Sequence, residues 1–268
     1  MRLAEAPGGL GESTVGDTRA ALAYIRGALK LQEGLAADFP NNLAYRHALV
    51  AGYSKLGLIY SAMGEREEQL EQHRKALAAA RTLAAAEPQH SVYRRELAVA
   101  HRNVGAALGA AAPAETTQHF QEALDIFTDI GAADPKHSDL PRQWALTHLA
   151  KSRFEVEMDK PAAAMASARE GIRIVEKVVA ASAGDAAAQN TLALLFTQLG
   201  ASHEKAAMNN PREWANAKDA YSKGLTIYEK LEADGKLSAA DANKRDKLAR
   251  EIANCDAALE AQANATSR

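Results

Sequence analysis

The chain repeats itself at offsets of 48, 47 and 48 residues, and this periodicity constrains its fold more than any other sequence feature. One position of the repeat holds Tyr53, His101, His148 and Phe196. Another, three residues later, holds Leu56, Val104, Lys151 and Leu199. Repeats of this length indicate stacked supersecondary units, because each unit needs its neighbours to cover its apolar sides.

Small residues and rings recur at two further positions. The small position directly follows the aliphatic one and holds Gly57, Gly105, Ser152 and Gly200. The later position holds His73, Phe120, Ala168 and Tyr221. We expect the small residues to lie where two helices cross, since a large side chain there would cost on the order of 1 to 3 kcal/mol.

Composition indicates an all-helical protein whose charges produce no strong electrostatic field. Hydrophobic residues make up 47% of the chain but aromatic residues only 5%, and alanine is abundant, which favours closely spaced helices. The net charge is -2, with acids and bases interspersed. This predicts local recognition of partners, with no binding of nucleic acid.

No apolar run approaches the roughly 20 residues that span a bilayer, and residues 1–16 do not resemble a signal peptide. We therefore predict a cytoplasmic protein without membrane insertion. Cys255 is the only cysteine, so an internal disulfide is ruled out and a packing role is expected.

The pattern predicts ten helices in antiparallel pairs, with boundaries partly marked by proline. Pro113, Pro161 and Pro211 are expected to begin second helices. The predicted helices are 17–38, 42–63, 65–86, 90–110, 114–132, 138–158, 161–182, 186–207, 212–233 and 240–261.

The repeat also divides the chain. We predict a flexible N-terminal segment (1–16) and the second helix of a truncated repeat (17–40). Four repeats follow: repeat 1 (41–88), repeat 2 (89–135), the degenerate repeat 3 (136–184) and repeat 4 (185–235). A capping helix (236–262) and a tail (263–268) end the chain.

Within each unit, an aromatic residue, a large aliphatic residue, a glycine and a later alanine-rich segment resemble the tetratricopeptide repeat (TPR). The first complete copy carries this pattern at Tyr53, Leu56, Gly57, Tyr60, His73 and Ala76. The resemblance implies a right-handed α-solenoid, a TPR-like superhelix whose first helices line a concave groove. The period exceeds the usual length of about 34 residues, which we attribute to longer helices.

A narrower resemblance concerns the segments 42–57, 235–244 and 249–259. They are similar to the C-terminal repeat region of large bacterial serine/threonine protein kinases. The catalytic motifs of a kinase are absent from the chain. The resemblance implies an alternative function, as the detached regulatory or sensor region of a kinase signalling protein.

The first predicted helix lacks a partner in the repeat pattern. Residues 17–38 align with second helices, and the corresponding first helix is missing. We expect an uncovered apolar stripe of Leu22, Ile25 and Leu29. The N-terminal segment, an upstream domain or self-association would cover it.

Catalytic and metal-binding patterns are weak. The glycine-rich segment 8–14 lacks the lysine of a phosphate-binding loop. His101 and His148 occupy equivalent repeat positions and could approach each other, but their repeat mates are Tyr53 and Phe196, which favours ring packing. We therefore expect no cofactor and no metal, and a stand-alone enzyme is the least favoured hypothesis.

The resemblance places the partner-binding groove on the first helices. The groove-facing residues are predicted to be Ser54, Leu58, Ser61, Arg95, Val99, Arg102, Arg142, Leu149, Arg153, Glu157, Asn190, Thr197 and Lys205. The four arginines suit carboxylate or phosphate groups on a peptide. A solvated face with local acidic partners such as Glu96 and Glu155 is the alternative.

The leading hypothesis is a non-catalytic scaffold for protein–protein interaction. Its partner would be a protein or peptide, extended or helical, with acidic groups.

Overall fold

The computed structural model describes residues 12–133 and 140–266, and the regular structure in these residues is helical. The predicted all-α fold is confirmed. In this part of the chain ten α-helices follow one another as α1 (Glu12–Asp38), α2 (Leu43–Met63), α3 (Arg66–Ala86), α4 (Ser91–Leu108), α5 (Pro113–Ala133), α6 (Leu140–Glu157), α7 (Pro161–Ala181), α8 (Ala186–Ala207), α9 (Glu213–Ala233) and α10 (Ala239–Thr266).

Most helix ends lie within two residues of the prediction. The predicted proline starts are confirmed at Pro113 and Pro161, whereas α9 begins two residues after Pro211. The larger differences are at the ends of the chain, where α1 begins at Glu12 and α10 continues to Thr266. Residues 12–16 and 263–266 are thus helical, and the rest of the predicted N-terminal segment and tail, 1–11 and 267–268, lies outside the described residues. A glycine inside a helix costs only about 1 kcal/mol and alanine favours helix, so neither segment contains a strong stop.

The chain forms two units, Met1–Lys136 and His137–Arg268. In the first unit each helix from α1 to α5 packs against the next one, and in the second unit α6 to α10 do the same. Each unit is therefore a stack of helices joined by short turns, as the repeat predicts. The right-handed course of the whole solenoid stays a prediction.

Glycine and ring pairs set the contact between the two helices of a repeat. A Cβ atom added to Gly57 would lie 2.6 Å from His73 Nδ1, and one added to Gly200 would lie 2.5 Å from Tyr221 Cδ1. At Gly105 the fit is looser, with Phe120 Cε1 at 3.4 Å. The small position of the first helix thus faces the ring position of the second.

The third repeat reaches the same contact with different residues. Ser152 replaces glycine, and Ala168 replaces the ring. Both are buried. Ser152 Oγ donates a hydrogen bond of 2.8 Å to the Ala164 carbonyl oxygen, across the helix pair. The larger residue of the first helix is accommodated because the second helix carries a smaller one.

The face of α1 that packs on α2 is not the exposed face expected from the sequence. Leu22 and Leu29 are buried in one cluster with Leu56 and Tyr60 of α2. That part of the prediction is wrong, because α2 covers this stripe from the C-terminal side. The exposed apolar side chains lie on another side of α1 and are Tyr24, Leu31 and Leu35, with Phe39 directly after the helix.

In the described residues, no helix contains an apolar stretch that is long enough to cross a bilayer.

Replacing Gly57 by alanine should destabilise the first unit. The added methyl group would overlap the His73 ring, which is only 1% exposed and cannot move aside freely. Overpacking of this kind costs about 1 to 3 kcal/mol, more than the helix propensity gained. The free energy of unfolding from urea titration would measure the change. Gly27→Ala is the control, because its Cβ would meet nothing within 4 Å, and we expect that variant to be stabilised. Equal effects at the two sites would contradict the prediction.

Because His73 is buried, the free energy of unfolding should decrease as the pH falls. Burial, and secondarily the charge of Arg102, lower its pKa to about 4, whereas an unfolded histidine titrates near 6.5. Between these values the unfolded chain binds the proton first, so folding at pH 5 is weakened by up to about 2 kcal/mol relative to pH 7.5.

His73→Phe should remove this contribution, because Phe120 and Tyr221 occupy the same repeat position. The measurement is the difference between the unfolding free energies of the variant and the unsubstituted chain as a function of pH. That difference should grow in favour of the variant as the pH falls from 7.5 to 5. A difference independent of pH would count against the prediction.

Candidate functional site

The first helices of successive pairs lie side by side in each unit. In the first unit α2 contacts α4, and in the second unit α6 contacts α8 more extensively. Among the described residues, the second helices α3 and α5, or α7 and α9, make no comparable contact. The first helices of each unit therefore share one surface, the first-helix surface, and its concave shape stays a prediction.

In the first unit, the predicted groove residues include an apolar and accessible part. Leu58 is 59% exposed. Ser61 is exposed, and Ser54 and Val99 are half-buried. These four side chains can all be reached from solvent.

The arginines of the first unit are already engaged. Arg95 forms an ion pair of 3.1 Å with Glu96. Arg102 donates from Nε and Nη2 to Asn103 Oδ1, at 3.3 Å in each case. At Arg95 the structure therefore agrees with the alternative of local acidic partners.

The arginines of the second unit differ. Arg142 is half-buried and Arg153 is exposed on α6. Neither forms an ion pair or a hydrogen bond with a described residue. Glu155, the predicted local acid, instead pairs with Lys151 at 2.9 Å and accepts a hydrogen bond of 2.6 Å from Ser167.

Arg153 lies in a crowded part of the surface. Desolvation by the surrounding protein lowers the pKa of its guanidinium, against a favourable interaction with Tyr228. A cation that has lost part of its water and has no acidic partner gains more from an incoming carboxylate than a fully solvated one does.

Leu149 does not line the surface. It is 3% exposed and belongs to the core cluster of α6, α7 and α8. Its predicted role in the groove is wrong, since α7 and α8 close over this side of α6. Glu157, one turn beyond Arg153, is exposed.

The remaining predicted residues, on α8, are held by hydrogen bonds and an ion pair. Asn190 accepts from the Tyr228 hydroxyl at 3.3 Å and donates to an Asp241 carboxylate oxygen of α10 at 3.4 Å. Thr197 Oγ1 donates to its own helix. Lys205 pairs with Asp159 at 3.0 Å. Asn190 therefore connects α8 to α9 and α10.

A histidine cluster joins α4 to α5 in the first unit. His101 Nδ1 lies 3.0 Å from His119 Nδ1 and 2.7 Å from Glu122 Oε2. Among the described residues, this is the one group of three that could hold a metal ion. Sequence reasoning considered only His101 and missed the other two. The spacing of three residues between His119 and Glu122, which places both on one helix face, was the available signal.

Burial lowers the pKa of both histidines. For His101 the value falls to about 4, although Glu122 acts in the opposite direction. The pKa of His119 also falls, with Glu122 and Glu115 opposing the shift. Burial therefore favours the neutral imidazole at both positions.

The two tryptophans of the second unit and its cysteine take part in packing. Trp144 and Trp214 pack against the two core clusters of the second unit. Cys255 is 1% exposed, and burial raises the pKa of its thiol to about 11. The packing role predicted for the cysteine is confirmed.

No family model and no curated protein matches the chain. A solved structure described as "MamA RS-1 ArsTM double mutant" is 15% identical, with 78% of this chain and 96% of that chain covered, at a TM-score of 0.36. A tetratricopeptide repeat protein from Parabacteroides merdae ATCC 43184 is 12% identical, with 91% and 88% covered, at a TM-score of 0.32. At scores this low the likeness carries no argument about this chain.

Proposed function

We propose that the protein is a non-catalytic scaffold that binds an acidic segment of a partner protein on the first-helix surface of the second unit. The observation that carries the proposal is Arg153. It is exposed, partly desolvated and without an acidic partner among the described residues. A guanidinium in this state favours a carboxylate, which it can bind through two parallel hydrogen bonds.

The spacing of Arg142 and Arg153 describes the ligand more closely. Arg142 and Arg153 are eleven residues apart on α6, which corresponds to three turns and about 16 Å. They therefore lie on one face of the helix. An extended peptide covers this length in about five residues. The matching ligand carries acidic residues about five positions apart if extended, or eleven apart if helical.

Two alternatives remain as predictions. The role as a regulatory region of a serine/threonine kinase rests on the sequence resemblance of the segments 42–57, 235–244 and 249–259. The stand-alone enzyme has no supporting observation in the described residues. The cytoplasmic location is also a prediction from the sequence.

Arg153→Glu should weaken binding of acidic peptides. The probe is a set of synthetic peptides with two glutamates placed five positions apart, compared with the same peptides carrying glutamine. A charged hydrogen bond contributes about 1.5 to 3 kcal/mol, so we expect the dissociation constant measured by fluorescence anisotropy to rise about tenfold or more.

Lys177→Glu is the matched control. It makes the same change of charge in the same unit, on the exposed side of the second helix α7. Binding by this variant should equal that of the unsubstituted chain. If both variants lost the same binding affinity, the effect would be one of net charge, which would contradict the proposal. Equal affinity for the glutamate and the glutamine peptides would contradict it as well.

We further propose that the chain self-associates through α1. The exposed side chains of Tyr24, Leu31 and Leu35 are spaced by seven and four residues and form one apolar stripe. In a two-fold symmetric dimer the same patch of both copies meets. The apolar stripe of α1 could therefore pack on the identical stripe of a second copy.

Leu31→Glu combined with Leu35→Glu should abolish this association. In sedimentation velocity experiments the unsubstituted chain should shift from monomer to dimer as its concentration rises, and the double variant should stay monomeric with the same helix content. A monomer at every concentration of the unsubstituted chain would contradict this proposal.

A further inference from the structure

The histidine cluster of the first unit contains potential metal-ligand atoms that its own hydrogen bonds do not satisfy. His101 Nδ1 and His119 Nδ1 face each other at 3.0 Å. One proton can serve this contact, so at least one of the two nitrogens presents a lone pair. Glu122 Oε2 is also buried, and although it lies 2.7 Å from His101 Nδ1, it has no hydrogen-bond partner. A buried oxygen in this state is costly unless another group satisfies it.

The separations of the three atoms fit one small cation. Tetrahedral Zn²⁺ binds imidazole nitrogen and carboxylate oxygen at about 2.0 to 2.2 Å, which places neighbouring ligand atoms about 3.3 Å apart. The observed separations are 2.7 Å and 3.0 Å from His101 Nδ1, and 3.9 Å between His119 Nδ1 and Glu122 Oε2. Side-chain movements of a few tenths of an ångström would equalise them.

We propose that His101, His119 and Glu122 form a binding site for a divalent transition metal of the Zn²⁺ class. Two imidazoles and one carboxylate suit Zn²⁺ and its neighbours in the series, and do not suit Mg²⁺ or Ca²⁺, which prefer oxygen. The three protein ligands leave a fourth position for water. The metal would clamp α4 to α5, because His101 belongs to one helix and the other two ligands to the next.

The surroundings of the cluster support this assignment. His119 Nε2 lies 3.7 Å from a carboxylate oxygen of Glu115. Carboxylates in this position commonly orient metal-bound histidines. An open groove whose lining includes Arg81, Glu115, His119 and Glu122 borders the cluster and gives access from solvent.

The test is metal titration of the full chain, prepared without an affinity tag and freed of metal with a chelator. Calorimetry with Zn²⁺ should give one site per chain, and Co²⁺ should give the visible absorption of a tetrahedral complex. The melting temperature of the chain should rise when Zn²⁺ is added.

Two variants locate the site. His101→Phe keeps a ring at a repeat position where Phe196 stands, and Glu122→Gln keeps the shape of the carboxylate. Each should weaken Zn²⁺ binding by about tenfold or more and remove the shift in melting temperature. If one variant fails to fold, the other still tests the proposal.

His203→Ala is the matched control. His203 Nδ1 also lies beside a carboxylate oxygen, Glu213 Oε2 at 2.6 Å, but among the described residues this pair belongs to no group of three potential ligands. Its loss should leave the titration unchanged. Absence of Zn²⁺ binding in the unsubstituted chain, or binding that persists undiminished in both His101→Phe and Glu122→Gln, would overturn the proposal and leave a buried histidine pair only.

Discussion

The close approach of the two helices in each repeat depends on matching a small residue with a larger one at their crossing. At Gly57 and Gly200 even a methyl group would overlap the ring of the second helix. Because side chains in a protein interior are packed nearly as densely as in crystals, neither helix can move aside. The third repeat shows that the combined volume of the two facing side chains matters, since Ser152 is accommodated where Ala168 replaces the ring.

Much of the fold could be predicted because it repeats. Helices α1 to α9 were each supported by several aligned copies, and the proline starts at Pro113 and Pro161 added local boundaries. The exceptions have local causes. The burial of Leu22 and Leu29 depends on α2, which lies on the C-terminal side of α1, whereas the prediction considered only the missing helix before it. The two ends of the chain lack a strong stop signal, so the helices extend farther than the repeat suggested.

The candidate surface was less predictable than the fold, because a repeat pattern specifies where a residue lies but not what it contacts. Arg95 and Arg153 were predicted to have the same role. The structure pairs Arg95 with Glu96 and gives Arg153 no ion pair in the described residues, since Glu155 is engaged by Lys151 and Ser167. The histidine cluster shows the same limit. His101 was interpreted through its repeat mates, but its chemistry depends on His119 and Glu122, which lie on the neighbouring helix.

A double-mutant cycle at Gly200 and Tyr221 tests the central claim most directly. With the tyrosine present, Gly200→Ala should destabilise the second unit in urea unfolding. In the background of Tyr221→Ala, which imitates the third repeat, the same substitution should instead be stabilising by up to about 1 kcal/mol, because the added methyl group has space and alanine favours the helix. An effect of the same sign and size in both backgrounds would contradict the account.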